Sequence, residues 1–132
     1  MIHGIGTDIV AIKRFNTIYS KYPQKCHKKI LSPIELTQFN KIKLLEKQIK
    51  FIATRWAVKE AFVKAIGIGF RNGLYLPQIS IIKNTYGQPK IILSSLANNT
   101  LQKKFIDQKF NFHISLSDDS DYAIAYCIVE KL

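Results

Sequence analysis

The feature that most constrains this chain is residues 46–66, its longest stretch of helical character, closed by Gly67 and Gly69. Apolar residues fall at Ile49, Ile52, Ala53, Trp56, Ala57 and Val63, a stripe of helical period. Glu60 interrupts it. At about 100° per residue, Glu60 lies within roughly 40° of Ala53, Trp56 and Lys64. Two readings are open. Glu60 and Lys64, four residues apart in the favourable order, can form a surface ion pair worth a few tenths of a kcal/mol. Alternatively the stripe lines a cleft, in which Glu60 holds a cation and Lys64 an anion.

The other segments are expected to pack on that helix. Residues 2–8 (IHGIGTD) read as a short strand ending at Asp8. Residues 9–21 favour a helix, with Ile9, Ile12, Phe15 and Ile18 roughly aligned and Pro23 just beyond its end. "SPIEL" (32–36) starts another: Ser32 caps, Pro33 suits the first position and Glu35 completes a capping box. Residues 79–83 and 90–94 form a hairpin around "NTYGQP", and 97–106 a short helix. In 110–117, Phe110, Phe112, Ile114 and Leu116 alternate with polar residues, which marks a half-buried strand. Residues 122–130 (YAIAYCIVE) are apolar on both faces, so that strand should be central or covered by helices, with "DDSD" as the turn before it. The order β-α-α-α-β-β-α-β-β implies an α+β fold, an antiparallel sheet on a long central helix, as a single domain over 1–132.

A length of 132 residues allows a core without disulfides, and Cys26 and Cys127 match no metal spacing, so both are expected as free thiols in a reducing cytoplasm. No run of about 18 apolar residues is present, so no membrane-spanning helix is expected. Met1-Ile2-His3-Gly4 does not open a secretory signal. The net charge of +11 favours polyanionic partners: nucleic acid, anionic lipid, phosphorylated ligands or an acidic protein. Lys13, Arg14, Lys21, Lys25, Lys28 and Lys29 crowd the N-terminal third, whereas Asp118, Asp119 and Asp121 cluster near the end.

Asp8 sharpens the reading of Glu60. It follows Gly4 and Gly6, which permit close approach of a helix or ligand. One Asp and one Glu form a hard-oxygen pair of the kind that holds Mg²⁺ together with water and substrate phosphates. The segment "GIGFRNG" (67–73) follows a helix C-terminus, whose dipole repels anions, so it reads as cap and turn. Phosphate contacts would come from side chains such as Lys64 or Arg71. His113 lies beside Ser115 on the polar face of its strand, either at the surface or lining a site.

Three segments, "GIGTDIVAIKRF", "FIATRWAVKEAFVKAIGIGFRNG" and "FHISLSDDSDYAIA", resemble in order and spacing the holo-acyl-carrier-protein synthase family, the short type of 4′-phosphopantetheinyl transferase. The middle segment fits its central signature, W/F-x-x-K-E-A-x-x-K-A. The resemblance implies a homotrimer with sites between subunits. It further implies Mg²⁺-dependent transfer of the 4′-phosphopantetheine arm of coenzyme A to a serine of acyl carrier protein, in support of fatty acid biosynthesis. Adenosine 3′,5′-bisphosphate is the product released. By the same resemblance Asp8 and Glu60 are metal ligands, Lys64 lies near the pyrophosphate, Arg14 docks the acidic carrier and His113 sits near the coenzyme. Arg71 is a further candidate for the coenzyme, and Lys13, Lys21 and Lys25 for the carrier. Some relatives have a second histidine after the strand's serine, where this chain has Asp118 and Asp119.

The chemistry required is attack of a weak serine nucleophile on a diphosphate that repels it. A metal bridging the carboxylates and the diphosphate lowers that repulsion, and Lys64 adds positive charge where the leaving phosphate develops negative charge. The base is left open between Glu60 and a hydroxide held by the metal. A metal-dependent phosphohydrolase acting on nucleotides is a rival use of the same pair. Nucleic acid is not the expected partner, since the chain lacks a recognisable binding motif or a basic-aromatic stacking face.

Overall fold

In a computed structural model, which describes residues 1–132, the long helix is the central element and the other elements pack around it. In chain order the elements are β1 (Ile2–Ala11), α1 (Ile12–Lys21), α2 (Cys26–Ile30), α3 (Pro33–Asn40) and α4 (Leu45–Ile66). A 3₁₀ turn (Leu76–Gln78), β2 (Ile79–Lys83), β3 (Pro89–Leu93), α5 (Ser95–Lys104), β4 (Phe110–Asp118) and β5 (Tyr122–Lys131) follow. Both sheets are antiparallel: a three-stranded one in the order β1-β5-β4 and the β2-β3 hairpin. The fold is α+β.

The sheet and α4 approach very closely because small residues line their contact. Ala123, Ala125 and Cys127 of β5 are fully buried on the face that meets α4. Gly4 and Gly6 of β1 lie on that face too. A Cβ on Gly6 would stand 1.9 Å from the carbonyl oxygen of Ala61, and one on Gly4 equally near that of Ala65. No side chain larger than hydrogen is accommodated there. Gly67, at φ 87°, caps α4 in the left-handed region and donates its N–H to Val63 O, as its position predicted.

Five expectations are corrected. The first strand continues to Ala11, so Asp8 lies within it, paired with Ala125, and not at its tip. Ile9 belongs to the strand and faces solvent; α1 begins at Ile12, whose N–H donates to Asp121 O at 2.9 Å, where pairing with β5 ends. A short helix, α2, joins α1 to α3, and nothing in its five residues, CHKKI, separates them from a loop. The α5 helix starts two residues early because Ser94 caps it, accepting from Ala97 N. Finally, α4 is buried over most of its circumference, so it carries no simple stripe: Arg55, Val58, Lys59, Ala61 and Phe62 are buried as well.

β5 is central, as expected, but only one of its faces is covered. Tyr122, Tyr126 and Ile128 project from the other face, next to Ile5 and Ile9 of β1, all exposed. β4 alternates as expected, with its apolar residues half-buried. The capping box of α3 forms in both directions between Ser32 and Glu35. Cys26 and Cys127 are buried and unpaired, and no helix is long and apolar enough to cross a membrane.

Candidate active site

Asp8 is carried on the α4-facing side of β1, two residues beyond Gly6. The lack of side chains at Gly4 and Gly6 lets α4 lie close to the strand, and this brings the Asp8 carboxylate to the exposed edge of the helix. Lys64 reaches back across it. Its ammonium donates to Asp8 Oδ1 at 3.1 Å and to Thr7 O at 2.9 Å. Lys64 therefore pairs with the strand and not with Glu60, which removes the bland reading of a helix surface pair. The other Asp8 oxygen, Oδ2, is buried and has no partner.

Glu60 completes the arrangement. Burial pushes its carboxyl above the ordinary range, and the neighbouring Asp8 charge pushes it the same way, while Lys64 and Arg14 pull it back. The two carboxylates are thus close enough to feel each other's charge, with Lys64 bonded to Asp8 and the Arg14 charge also reaching Glu60. An unpartnered buried carboxylate oxygen near a carboxyl held up by burial and by that neighbouring charge is a site that a hard divalent cation fits. No three or more His, Cys, Asp or Glu side chains are placed to hold a metal ion together, so an ion here would complete its coordination with water or phosphate oxygens.

Around Glu60 runs a cleft walled by Trp56 on α4, Lys28 and Lys29 on α2, and Tyr75, Leu76 and Pro77 at the 3₁₀ turn. It adjoins an apolar groove between α1 and α2, where Phe15, Ile18, Tyr22 and Trp56 are rimmed by Arg14, Lys25 and Lys29. The Arg14 guanidinium sits 5.5 Å from the Trp56 ring centroid. Of the basic residues singled out from the sequence, Arg14 and Lys25 share this groove. Lys21 lies beside it, over the ring of Tyr22, and Lys13 points to a different cleft between α1 and α4.

Arg71 and His113 are not brought to the carboxylates within one chain. Arg71 lies in a polar cleft beyond the end of α4 with Asn72, Asn99, Lys103 and Lys104. His113 stands on the uncovered sheet face, where its ring nitrogen meets Glu130 Oε2 at 2.9 Å. That bond holds the Glu130 carboxyl below its usual range.

Sequence reasoning missed Lys59, next to Glu60. Its ammonium is wholly buried and contacts Glu35 Oε1 at 2.6 Å. A signal was available: of the helical neighbours of Lys59 at third, fourth and seventh positions, Ile52, Trp56, Phe62, Val63 and Ile66 are apolar and only Arg55 is charged.

Similarity to known proteins agrees with this fold. The sequence profile of the 4′-phosphopantetheinyl transferase superfamily matches residues 4–127, and the chain belongs to that family. It is an enzyme of this transferase class. A holo-acyl-carrier-protein synthase of Wolbachia pipientis (strain wPip) is 40% identical over 129 residues, 98% of either chain. The crystal structure of the holo-acyl-carrier-protein synthase from Neisseria meningitidis superposes with a TM-score of 0.88 at 34% identity, over 99% of this chain and 100% of that one. The Helicobacter pylori synthase, solved in complex with coenzyme A, superposes with a TM-score of 0.76 at 28% identity, covering 96% of this chain and 99% of that one.

Proposed function

We propose that this chain transfers the 4′-phosphopantetheine arm of coenzyme A to a serine of an apo acyl carrier protein. Adenosine 3′,5′-bisphosphate is released, and Mg²⁺ is held by Asp8 and Glu60. The observation that carries the metal assignment is the buried, unpartnered Asp8 Oδ2 beside Glu60. The names of the relatives and the coenzyme A in a solved neighbour support the reaction. When bound, Mg²⁺ lowers the charge of the diphosphate and orients its phosphorus towards the nucleophile.

The chain's own residues do the rest. Asp8 Oδ2 and the Glu60 carboxylate supply the anionic oxygens of the metal site. Lys64, fixed by Thr7 O and Asp8 Oδ1, spends two of its three N–H donors on the strand and keeps the third for the leaving phosphate. Arg14 and Lys25, with Lys21 and Lys13 on the flanks, attract the acidic carrier, and the apolar groove between α1 and α2 receives it. The groove opens beside the Glu60 cleft through the shared residues Trp56, Lys29 and Leu76, so a docked carrier presents its serine to the carboxylates.

The uncovered sheet face supports the homotrimer. Ile5, Ile9, Tyr126 and Ile128 are exposed on it, and packing against further copies of the chain removes them from water. In such an assembly His113, on the same face, and Arg71 are available to coenzyme A at a neighbouring subunit's site. The unpaired buried thiols favour the cytoplasm, and the proposed reaction would serve fatty acid biosynthesis.

The test combines apo acyl carrier protein, coenzyme A and Mg²⁺ and follows the carrier by mass spectrometry. Addition of the phosphopantetheine arm is expected, and its loss on omitting Mg²⁺. Release of inorganic phosphate from nucleotides without a carrier, and no modified carrier, would instead identify a phosphohydrolase.

A further inference from the structure

Lys59 and Glu35 form an ion pair with no exposed surface, in which all three ammonium donors and both carboxylate oxygens have partners. The three N–H bonds of Lys59 Nζ go to Ile30 O at 2.6 Å, Glu35 Oε1 at 2.6 Å and Leu76 O at 3.0 Å. Glu35 Oε1 also accepts from Ser32 N, and Oε2 accepts from Ile81 N, each at 2.9 Å. Ser80 Oγ donates to Ser32 Oγ at 2.7 Å. One ammonium on α4 is thereby tied to the end of α2, the first turn of α3 and the 3₁₀ turn, and through Glu35 to β2.

A buried ion pair is a costly way to stabilise a core, because desolvation consumes most of the Coulombic gain and an apolar pair of similar volume does as well. What the pair does supply is direction, since each bond fixes a separate segment relative to α4. Those segments are the walls of the site. Ile30 and Leu76, whose carbonyls Lys59 holds, line the groove beside Arg14, and Leu76 also lines the Glu60 cleft. Lys59 precedes Glu60 directly, so anchoring Lys59 sets the rotation of α4 about its axis and with it the direction of Glu60, about 100° further round.

We propose that Lys59, acting through Glu35, is a positioning residue of the active site: a buried clasp that holds α2 and the 3₁₀ turn against α4 so that Glu60 and Trp56 face the cleft. This inference rests on the transferase reading above. It concerns placement of the walls and not the folding of the chain as such.

The test uses the full-length protein and the double variant K59M/E35Q, which removes both charges, closely keeps side-chain volume and leaves one acceptor oxygen at position 35. Trp56 is the only tryptophan and borders both the groove and the cleft, so its fluorescence reports the walls without reference to activity. The double variant is expected to remain folded, with Trp56 more accessible to acrylamide. Turnover at saturating carrier is expected to fall about 30- to 100-fold, as a displacement on the order of 1 Å does, while the KM for coenzyme A stays within about threefold. A folded double variant with unchanged Trp56 quenching and turnover within about threefold of wild type overturns the clasp. If the double variant does not fold, E35Q alone, which breaks the ion pair and leaves Lys59 bonded to the Ile30 and Leu76 carbonyls, decides. Reduced turnover with altered quenching supports the clasp, and wild-type values for both overturn it. Failure of the wild-type protein to modify the carrier refutes the transferase reading instead, and the quenching comparison then tests the clasp alone.

Discussion

Replacing Gly6 by alanine tests the packing that brings Asp8 to α4. The new Cβ would stand 1.9 Å from Ala61 O, with Ala65 N at 2.8 Å and Ala61 C at 2.9 Å. A tolerable C···O contact is about 3.3 Å, so strand and helix must separate by roughly 1.4 Å at that point. Every conflicting atom is backbone, and no rotamer change relieves it. Overpacking of this kind costs up to about 3 kcal/mol, which in a domain of this size lowers Tm by roughly 10 °C. The same separation carries Asp8 away from Glu60 and Lys64, so transfer measured well below the new Tm should fall on the order of 100-fold. The assays are thermal unfolding and the mass-based carrier assay, run on the same preparation. A Gly6→Ala protein melting within about 2 °C of wild type and fully active would refute the argument that bare backbone contact places Asp8.

Three further outcomes are expected. Without coenzyme, Mg²⁺ at about one hundred times its Kd should stabilise the wild type by about 2.7 kcal/mol in thermal unfolding and leave Asp8→Asn and Glu60→Gln unmoved; equal stabilisation of all three would place the ion elsewhere. Arg14→Glu should depress kcat/KM for the carrier strongly and steepen no salt dependence, while affinity for coenzyme A by calorimetry stays within about threefold; equal loss of both would remove Arg14 from docking. Burial holds the Cys127 thiol up to about 12 from its ordinary 9.0, so the folded state keeps a proton that the unfolded chain loses. Stability should fall as pH rises above about 9, by about 1.4 kcal/mol per unit from this group, and a denaturant titration of Cys127→Ala should lack that component.

Much of this architecture was legible because its signals are local. The Ser32–Glu35 capping box, the glycine that ends α4 and the alternation of Phe110, Phe112, Ile114 and Leu116 each depend on a few neighbouring residues. The N-terminal boundary differs for a non-local reason: Ile9 aligns with Ile12, Phe15 and Ile18 on a helical face, but pairing of Ile9 and Val10 with Ile124 and Ala123 of β5 keeps both extended. The site was half legible. The types and order of Asp8, Glu60 and Lys64 point to a phosphate chemistry, yet the partner of Lys64 depends on where β1 crosses α4, which no spacing in α4 contains. Lys59 escaped notice because its partners lie at Ile30, Glu35 and Leu76, distant in sequence and, in two cases, backbone carbonyls. His113 and Arg71 are the converse: the residues were visible, but one chain does not bring them to the carboxylates.

The two lysines that follow one another on α4 therefore do opposite work with the same charge. Lys59 is sealed from water with all its donors used by protein groups, so its charge can serve only the arrangement of the walls. Lys64, half exposed, has two donors anchored on β1 and one directed outwards, so its charge remains available to a ligand. Glu60 lies between them in sequence and inherits both constraints. Its direction follows from the buried lysine, and its repulsion from Asp8 is only partly offset by the exposed one. Neutralising Lys64 should accordingly raise the mutual repulsion of the carboxylates and increase the dependence of transfer on Mg²⁺ concentration, whereas loss of Lys59 should lower turnover without that shift. Titrating Mg²⁺ against Lys64→Met and K59M/E35Q separates the two roles, and the same Mg²⁺ dependence in both variants would contradict the division.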